Sequence, residues 1–218
     1  MDINIRDVYV SKEYPQFILC SRLDFTLSSI KYLLPPSLKN EELLCIPTAA
    51  FVEEGYNPAL DLDSKPLEYL GAQVEDFDIT NTSQEEVKER LKNVKVLFVR
   101  GGNTAHLLEM MRKCNFETIL REKIKQEMIY IGASAGAVVL SDNIEYISPM
   151  DEFEKSTLIN YEGFNVVPFK IIPHSNQPDL KKEVEEILKR GISSKGSSIF
   201  SLKEEQLMCV RGNVLRIF

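Results

Sequence analysis

The stretch MIYIGASAGAVVL, residues 128–140, joins a short apolar run to a turn made only of small residues. The apolar run predicts a buried strand, and the small apolar residues after the turn predict a helix. Ser134 lies at the centre of the turn, and Gly132 and Gly136 would let neighbouring segments approach it without a Cβ clash. The pattern predicts either a nucleophile elbow that presents Ser134 for reaction or a turn that only packs a helix against a sheet.

Short apolar runs alternate with helical patterns along the rest of the chain. Strands are expected at residues 17–20, 43–46, 73–77, 94–99, 169–172 and 197–201, and helices at 28–34, 58–70, from 83, 105–113, 116–126 and 180–190. Because parallel strands need crossover connections, this alternation predicts an α/β fold with a mainly parallel sheet and helices on both faces. The runs at 206–210 and 214–218 predict a C-terminal hairpin. We expect one domain over residues 1–218, with 1–16 as a loosely attached lead-in.

Composition narrows the class of partner. The chain has 218 residues and a formal charge of -7, without a cluster of Lys and Arg among aromatics, which argues against nucleic acid. The sequence lacks the ~20-residue apolar run that a membrane span needs. Four cysteines are scattered singly, which is typical of reduced core thiols in a cytoplasmic protein. A small molecule or peptide is the expected partner.

A glycine pair follows the strand predicted at 94–99. The sequence there is Arg100-Gly101-Gly102-Asn103-Thr104. Paired glycines at the carboxyl end of a strand leave backbone N–H groups accessible, so they could form half of an oxyanion hole. The alternative is a tight strand-to-helix turn capped by Asn103 or Thr104. Loops at the carboxyl ends of neighbouring parallel strands converge on one crevice, which would bring this loop to Ser134.

Two histidines are present, so few residues compete for the role of general base. His106 would lie in the first turn of a helix, where an imidazole is ordinarily solvated or adjacent to a cap. His174 follows the strand predicted at 169–172 and would stand at the same edge of the sheet as Ser134. An imidazole, with an ordinary pKa near ~6.5, can take a proton from a serine and return it to a leaving amine. Between Ser134 and His174 in the sequence lie Asp151 and Glu152, and a carboxylate there could orient the imidazole.

Together these motifs resemble the family of serine peptidases that contains dipeptidase E (α-aspartyl dipeptidase) and cyanophycinase. The matching pieces are IPTA at 46–49, GGNT at 101–104, GASAGA at 132–137, Asp151, and PH at 173–174. The resemblance implies a fold like that of class I glutamine amidotransferases. It also implies that Ser134 is the nucleophile, His174 the base and Asp151 the acid, with Glu152 as the alternative acid. Backbone N–H groups of Gly101, Gly102 and Ala135 would form the oxyanion hole.

The implied activity is hydrolysis of dipeptides or other small peptides through an acyl-enzyme, with no metal or cofactor, by a monomer or homodimer. Dipeptidase E-like members bind an N-terminal aspartate through basic side chains, some of them beyond the catalytic histidine. Here that region, SNQPDLKK at 175–182, has no arginine. Arg100, Asn103 and Thr104 are the predicted substrate contacts instead, and aspartate specificity stays open.

Two other functions are compatible with the same motifs. One is a catalytically degenerate member that binds or regulates. The other is an α/β-hydrolase esterase, which shares the G-x-S-x-G elbow and the order serine, acid, histidine. Only forty residues separate Ser134 from His174, too few for the βα units that usually lie between elbow and histidine in that fold.

Overall fold

A computed structural model describes residues 14, 16–39, 42–53, 55, 63–193 and 198–218 of the chain. Most of the predicted lead-in, residues 1–16, lies outside the described residues. Gln16, at its end, is buried, and its backbone N–H donates to the carbonyl of Val210 at 2.9 Å. At this position the chain is therefore already part of the fold.

Seven strands form the main sheet, in the order β3-β2-β4-β5-β1-β8-β9. Their bounds are β1 Phe17–Cys20, β2 Glu42–Ile46, β3 Gln73–Asp76, β4 Val96–Val99, β5 Ile129–Ala133, β8 Leu207–Arg211 and β9 Val214–Ile217. Strands β1 to β5 are parallel to one another, whereas β8 pairs antiparallel with β1 and β9 pairs antiparallel with β8. The predicted mainly parallel sheet and the C-terminal hairpin are confirmed.

Two strands lie outside that sheet. Strand β6, Phe169–Ile172, pairs with β7, Ser198–Ser201, in a separate two-stranded sheet. The pairing is parallel and in register, with Ile172 opposite Ser201. The loops that follow β6 and β7 therefore leave the small sheet at the same edge. The expectation that His174 stands at the same edge of one sheet as Ser134 is wrong, because β6 pairs with β7 and not with the main sheet.

Seven α-helices connect the strands in the described part of the chain. Their bounds are α1 Leu27–Ile30, α2 Lys65–Tyr69, α3 Gln84–Leu91, α4 Thr104–Lys113, α5 Phe116–Lys125, α6 Ala135–Val138 and α7 Lys181–Ser193. The helix predicted from 83 is α3, which Ser83 caps: its Oγ accepts from the N–H of Glu86 at 3.2 Å. The helix predicted at 58–70 is helical from Lys65, and most of its first half lies outside the described residues.

Both faces of the main sheet are covered. On β1, Phe17 and Leu19 face a core formed with helices α3 to α7, whereas Ile18 and Cys20 face a second core formed with α1 and α2. A strand buried on both faces reads as a continuous apolar run, which explains the pattern in the sequence. All four cysteines are buried and free, as expected for core thiols. No helix within the described ranges is both long and apolar enough to cross a membrane.

Candidate active site

Ser134 occupies a strained turn between β5 and α6. Its backbone has φ 46° and ψ -109°, a conformation that residues other than glycine rarely adopt. The neighbouring glycines are required by space, because a Cβ on Gly136 would lie 2.2 Å from the carbonyl oxygen of Val99. Tyr130 Oη donates to the Gly136 carbonyl at 2.7 Å and ties the turn to its strand. The structure therefore contains the predicted elbow.

His174 stands directly against the elbow. It follows β6, and its Nε2 lies 3.0 Å from Ser134 Oγ. The residue has a positive φ of 58°, and its N–H donates to Ser21 Oγ at 3.0 Å. This geometry allows a proton to pass from the serine hydroxyl to the imidazole.

The acid that contacts His174 is Glu204, a residue that the sequence analysis did not select. Glu204 Oε1 lies 2.7 Å from His174 Nδ1, and the side chain is buried. Because β6 and β7 are parallel neighbours, the loops after them bring His174 and Glu204 together. Asn176 Oδ1 accepts from the Glu204 N–H at 2.9 Å and joins the two loops. The Ser134–His174–Glu204 arrangement has the hydrogen-bond order of a catalytic triad.

Asp151, the predicted acid, makes contacts with other residues than His174. Its Oδ1 accepts from Asn103 Nδ2 at 2.8 Å and its Oδ2 accepts from the N–H of Thr104 at 2.7 Å. Burial raises the pKa of Asp151 to about 6, although the hydrogen bonds from Thr104 act in the opposite direction. The expected contact with His174 is thus wrong, because both carboxylate oxygens are committed to the N-terminus of α4. The alternative, Glu152, forms an ion pair with Lys155 instead.

The glycine loop lies beside the nucleophile. A Cβ on Gly101 would lie 3.1 Å from Ser134 Cβ, and one on Gly102 would lie 2.2 Å from the carbonyl oxygen of Ala49. Gly102 also has φ 131°, which only glycine adopts readily. Ala135 opens α6, so its N–H has no acceptor within the helix. Of the predicted oxyanion-hole residues, Gly101 and Ala135 are therefore neighbours of Ser134 in space or along the chain, and Gly102 lines the same cavity as Ser134.

Asn103 and Arg100 are buried and do not line the cavity that Ser134 faces. Asn103 is fully buried, and its Oδ1 accepts from the His106 N–H at 2.8 Å, which caps α4 as the alternative interpretation expected. Arg100 is 5% exposed, and its backbone N–H donates to the Ile46 carbonyl. His106 is half-buried, and burial lowers its pKa. Of the three predicted substrate contacts, only Thr104 reaches the cavity.

The cavity in front of Ser134 has a volume of about 560 Å³. It is lined by polar, apolar and charged residues: Glu53, Gly102, Thr104, Ser134, Val138, Ile147, Met150, Asp151, Glu152, Lys155, Pro173, His174 and Leu180. Lys155 is the single Lys or Arg among these described residues, and sequence reasoning missed it. Its Nζ pairs with Glu152 and lies 3.6 Å from Glu53.

The missed residues carried weak signals. Glu204 follows the strand predicted at 197–201 as His174 follows the strand at 169–172, so an acid at the end of the last predicted parallel strand could have been considered. Lys155 lies in a loop of mixed charge and had no distinguishing pattern. In the part of the chain that the structure describes, no three His, Cys, Asp or Glu side chains form a group that could hold a metal ion.

Comparisons with known proteins identify the family. The family model of Peptidase family S51 matches residues 22–218. An uncharacterized peptidase of Listeria monocytogenes is 33% identical over 195 residues, which cover 86% of this chain and 94% of that protein. Peptidase E of a Nostoc species is 30% identical over 152 residues, 70% of this chain and 59% of that protein.

Solved structures agree with this result. The crystal structure of a peptidase E candidate from Listeria monocytogenes superposes with a TM-score of 0.85 at 30% identity and covers 93% of this chain and 96% of that one. A peptidase from an acI-B1 actinobacterium, at 19% identity and a TM-score of 0.64, shares the fold. With a family match over most of its length and a relative matched over almost its full length, the chain belongs to peptidase family S51 and is a hydrolase of the peptidase class.

Proposed function

We propose that the protein is a serine-type peptidase that hydrolyses dipeptides or similarly small peptides through an acyl-enzyme. One observation carries the proposal: Ser134 Oγ, His174 and Glu204 form a continuous hydrogen-bonded series with separations of 3.0 and 2.7 Å. A serine becomes a useful nucleophile when a neighbouring base can take its proton and a third group fixes the tautomer of that base.

The chemistry follows from the positions of these atoms. Ser134 Oγ attacks the peptide carbonyl carbon while its proton passes to His174 Nε2, and the imidazolium then gives this proton to the departing amine. Water then attacks the acyl carbon while losing a proton to the same nitrogen, the ester bond to Ser134 Oγ breaks, and Oγ takes the proton back from Nε2 as the acid leaves. Glu204 keeps the hydrogen of Nδ1 in place and offsets the positive charge of the imidazolium. The N–H groups of Gly101, Gly102 and Ala135 are the donors we assign to the oxyanion.

The cavity favours small substrates without a negative side chain. A volume of about 560 Å³ is suited to a few residues of peptide. Its charged lining contains three acidic residues and one lysine, and that lysine is already paired with Glu152 and close to Glu53. An acidic N-terminal residue would therefore meet repulsion. We expect dipeptides with neutral or basic N-terminal residues to be cleaved faster than Asp-X dipeptides.

Ser134→Ala tests the proposal directly. The variant should fold and lose on the order of a thousandfold or more in rate, because the nucleophile is gone. The measurement is hydrolysis of a dipeptide panel that varies the N-terminal residue, with short-chain esters as a comparison and Ser148→Ala, outside the cavity lining, as a matched control. Activity near the native level in Ser134→Ala would rule out the serine mechanism, whereas turnover of esters alone would move the assignment to an esterase.

A further inference from the structure

The last residue of β1 and the two residues after it contact every member of the proposed triad. Three consecutive residues are involved. The carbonyl of Cys20 accepts from the Ser134 N–H at 2.9 Å, Ser21 Oγ accepts from the His174 N–H at 3.0 Å, and Arg22 Nε lies 3.9 Å from Glu204 Oε2. The first contact continues the backbone pairing of β1 with β5, whereas the other two are made by side chains.

Ser21 joins the loop of the base to the loop of the acid. Its side chain is 1% exposed, and its hydroxyl donates to the carbonyl of Leu202 at 3.0 Å while accepting from His174. Leu202 follows β7 and lies two residues before Glu204. One buried hydroxyl therefore contacts both loops and adds to their direct bonds, those of the Ser175 N–H to the Leu202 carbonyl and of the Glu204 N–H to Asn176.

The backbone of His174 needs such an anchor. Its φ of 58° is unfavourable for a residue with a side chain and persists only where the surroundings hold it. The carbonyl of His174 accepts from the Gln177 N–H, but the N–H of His174 depends on Ser21. A buried N–H that loses its partner tends to move the chain towards another acceptor.

Arg22 acts on the acid through charge. Glu204 Oε2 is buried and accepts no hydrogen bond from the described residues, so only Oε1 is engaged, by His174. Arg22 is held in place by Asp24, through bonds of 3.0 and 2.6 Å, and by the ring of Phe25 at 4.6 Å. Its guanidinium, although paired with Asp24, also lies 3.9 Å from this second oxygen.

Other titratable groups in the same region add negative charge or none. The negative charges of Asp24 and Asp63 favour the charged form of Arg22 and disfavour the thiolate of Cys20. Burial, together with Asp24, raises the pKa of Asp63 to about 6, and burial raises the pKa of the Cys20 thiol. Arg22 is thus the only Lys or Arg that the structure, over its described residues, places within 4 Å of Glu204.

We propose that Ser21 and Arg22 are positioning residues for the His174–Glu204 pair, Ser21 by fixing the two loops and Arg22 by balancing the charge of the acid. The inference rests on the proposed serine mechanism. Neither residue touches the reacting atoms, so their effects should appear as a change in the reactivity of Ser134 and not as a loss of the site.

The reactivity of Ser134 can be measured without knowing the substrate. In the reaction with an alkyl fluorophosphonate, Ser134 Oγ forms a bond to phosphorus, the P–F bond breaks, fluoride leaves, and the hydroxyl proton passes through His174 Nε2 to solvent. Intact-protein mass spectrometry gives the maximal rate of modification and the half-saturating concentration at each pH. Native protein that reacts and Ser134→Ala that does not would establish the mechanism before the positioning residues are tested.

Ser21→Ala should lower the maximal rate by about 10- to 100-fold with the half-saturating concentration unchanged, since a displaced base slows the step but leaves the cavity intact. The matched control is Ser141→Ala. Ser141 is also 1% exposed, and its hydroxyl also bonds to backbone carbonyls, those of Val138 and Asn143. It should lose thermal stability to a similar degree and keep its rate.

Arg22→Gln should move the acid limb of the rate profile to higher pH by roughly half a unit, because loss of a nearby positive charge makes the proton of the triad harder to remove. Arg22→Lys, which keeps the charge, should restore most of the native profile. Arg90→Gln is the control, since Arg90 pairs with Glu75 at 2.7 Å and packs on Phe77 far from the site along the sheet order.

The outcomes distinguish failure of the positioning roles of Ser21 and Arg22 from failure of the proposed serine mechanism. If native protein reacts but Ser21→Ala matches Ser141→Ala in rate, the role of Ser21 is overturned while the mechanism stands. If the acid limb of the Arg22→Gln rate profile lies at the same pH as that of Arg90→Gln, the role of Arg22 is overturned. If native protein does not react with the probe at all, the proposed mechanism itself fails.

Discussion

Glu204→Gln is the change that most directly tests the arrangement of the site. The substitution keeps the size of a side chain that is 9% exposed and removes its charge. Glutamine can offer its NH₂ group to His174 Nδ1, in which case the hydrogen of the imidazole moves to Nε2. That nitrogen then donates to Ser134 Oγ and cannot accept its proton. If glutamine instead offers its carbonyl oxygen, the tautomer is correct but the imidazolium loses its counter-charge.

The magnitude follows from the geometry. The 2.7 Å contact places the centres of charge of imidazolium and carboxylate about 4 Å apart, and at an effective dielectric constant of about 20 this attraction amounts to about 4 kcal/mol. A loss of about 4 kcal/mol from the transition state slows the reaction about a thousandfold. The change from acid to amide in a triad lowers kcat by about 10⁴, because the tautomer is also wrong. We therefore expect a loss between these two values.

The assay is the rate of Ser134 modification by the fluorophosphonate, followed by dipeptide hydrolysis, with thermal melting to show that the variant folds. Glu205→Gln is the control, since the neighbouring acid is exposed and contacts Asn176 at 3.2 Å instead of His174. A rate for Glu204→Gln within about threefold of the control would refute the assignment of the acid. Abolition by Asp151→Asn alone would return the role to the residue first predicted.

Three further changes test other parts of the structure. Gly136→Ala should lower the free energy of unfolding by about 2 kcal/mol or more, because its Cβ would meet the Val99 carbonyl at 2.2 Å, and denaturant titration measures this. For Glu109, burial alone would raise the pKa, but the ion pair with Lys113 and the bonds from Thr157 lower it from 4.5 to about 2. The charged form therefore stabilises the fold at neutral pH, so Glu109→Gln should lower the melting temperature at pH 7, and this deficit should shrink as the pH falls from about 4.5 to 2. An equal deficit at pH 2.5 would contradict the sign. Glu152→Gln should release Lys155 and raise kcat/KM for Asp-X relative to Ala-X dipeptides several-fold, with the exposed Glu154→Gln as the control; an unchanged ratio would show that Lys155 does not read substrate charge.

Much of the fold and part of the site were predictable, because their signals are local. A buried parallel strand leaves a continuous apolar run, and the residues directly after such a run lie at the carboxyl edge of the sheet. Gly101, Ser134 and His174 each follow such a run within two residues. The shared edge of Gly101 and Ser134 could therefore be predicted without any knowledge of long-range contacts. His174 follows a strand of the separate small sheet, so its contact with Ser134 depends on how the two sheets pack.

The acid could not be found in this way. Its place depends on β7 pairing with β6 outside the main sheet, and this pairing is decided by tertiary packing. Asp151 has the residue type and chain order that the chemistry needs, but the N–H of Thr104 and the amide of Asn103 take both of its oxygens. Arg100 has the charge that an acidic substrate needs, yet it is buried behind the cavity. In each case the sequence shows the chemical group and not the contacts that engage it.

The division into two sheets has a consequence for how the site can fail. Ser134 belongs to the main sheet, whereas His174 and Glu204 follow the strands of the small one. The contacts of Ser21, which directly follows β1 of the main sheet, with the loops after β6 and β7 join the small sheet to the main one. A slight shift between the sheets would lengthen the 3.0 Å contact of Ser134 and leave the 2.7 Å contact of Glu204 intact. Since the proposed reaction needs the first contact, variants at this boundary should lose activity before they lose structure.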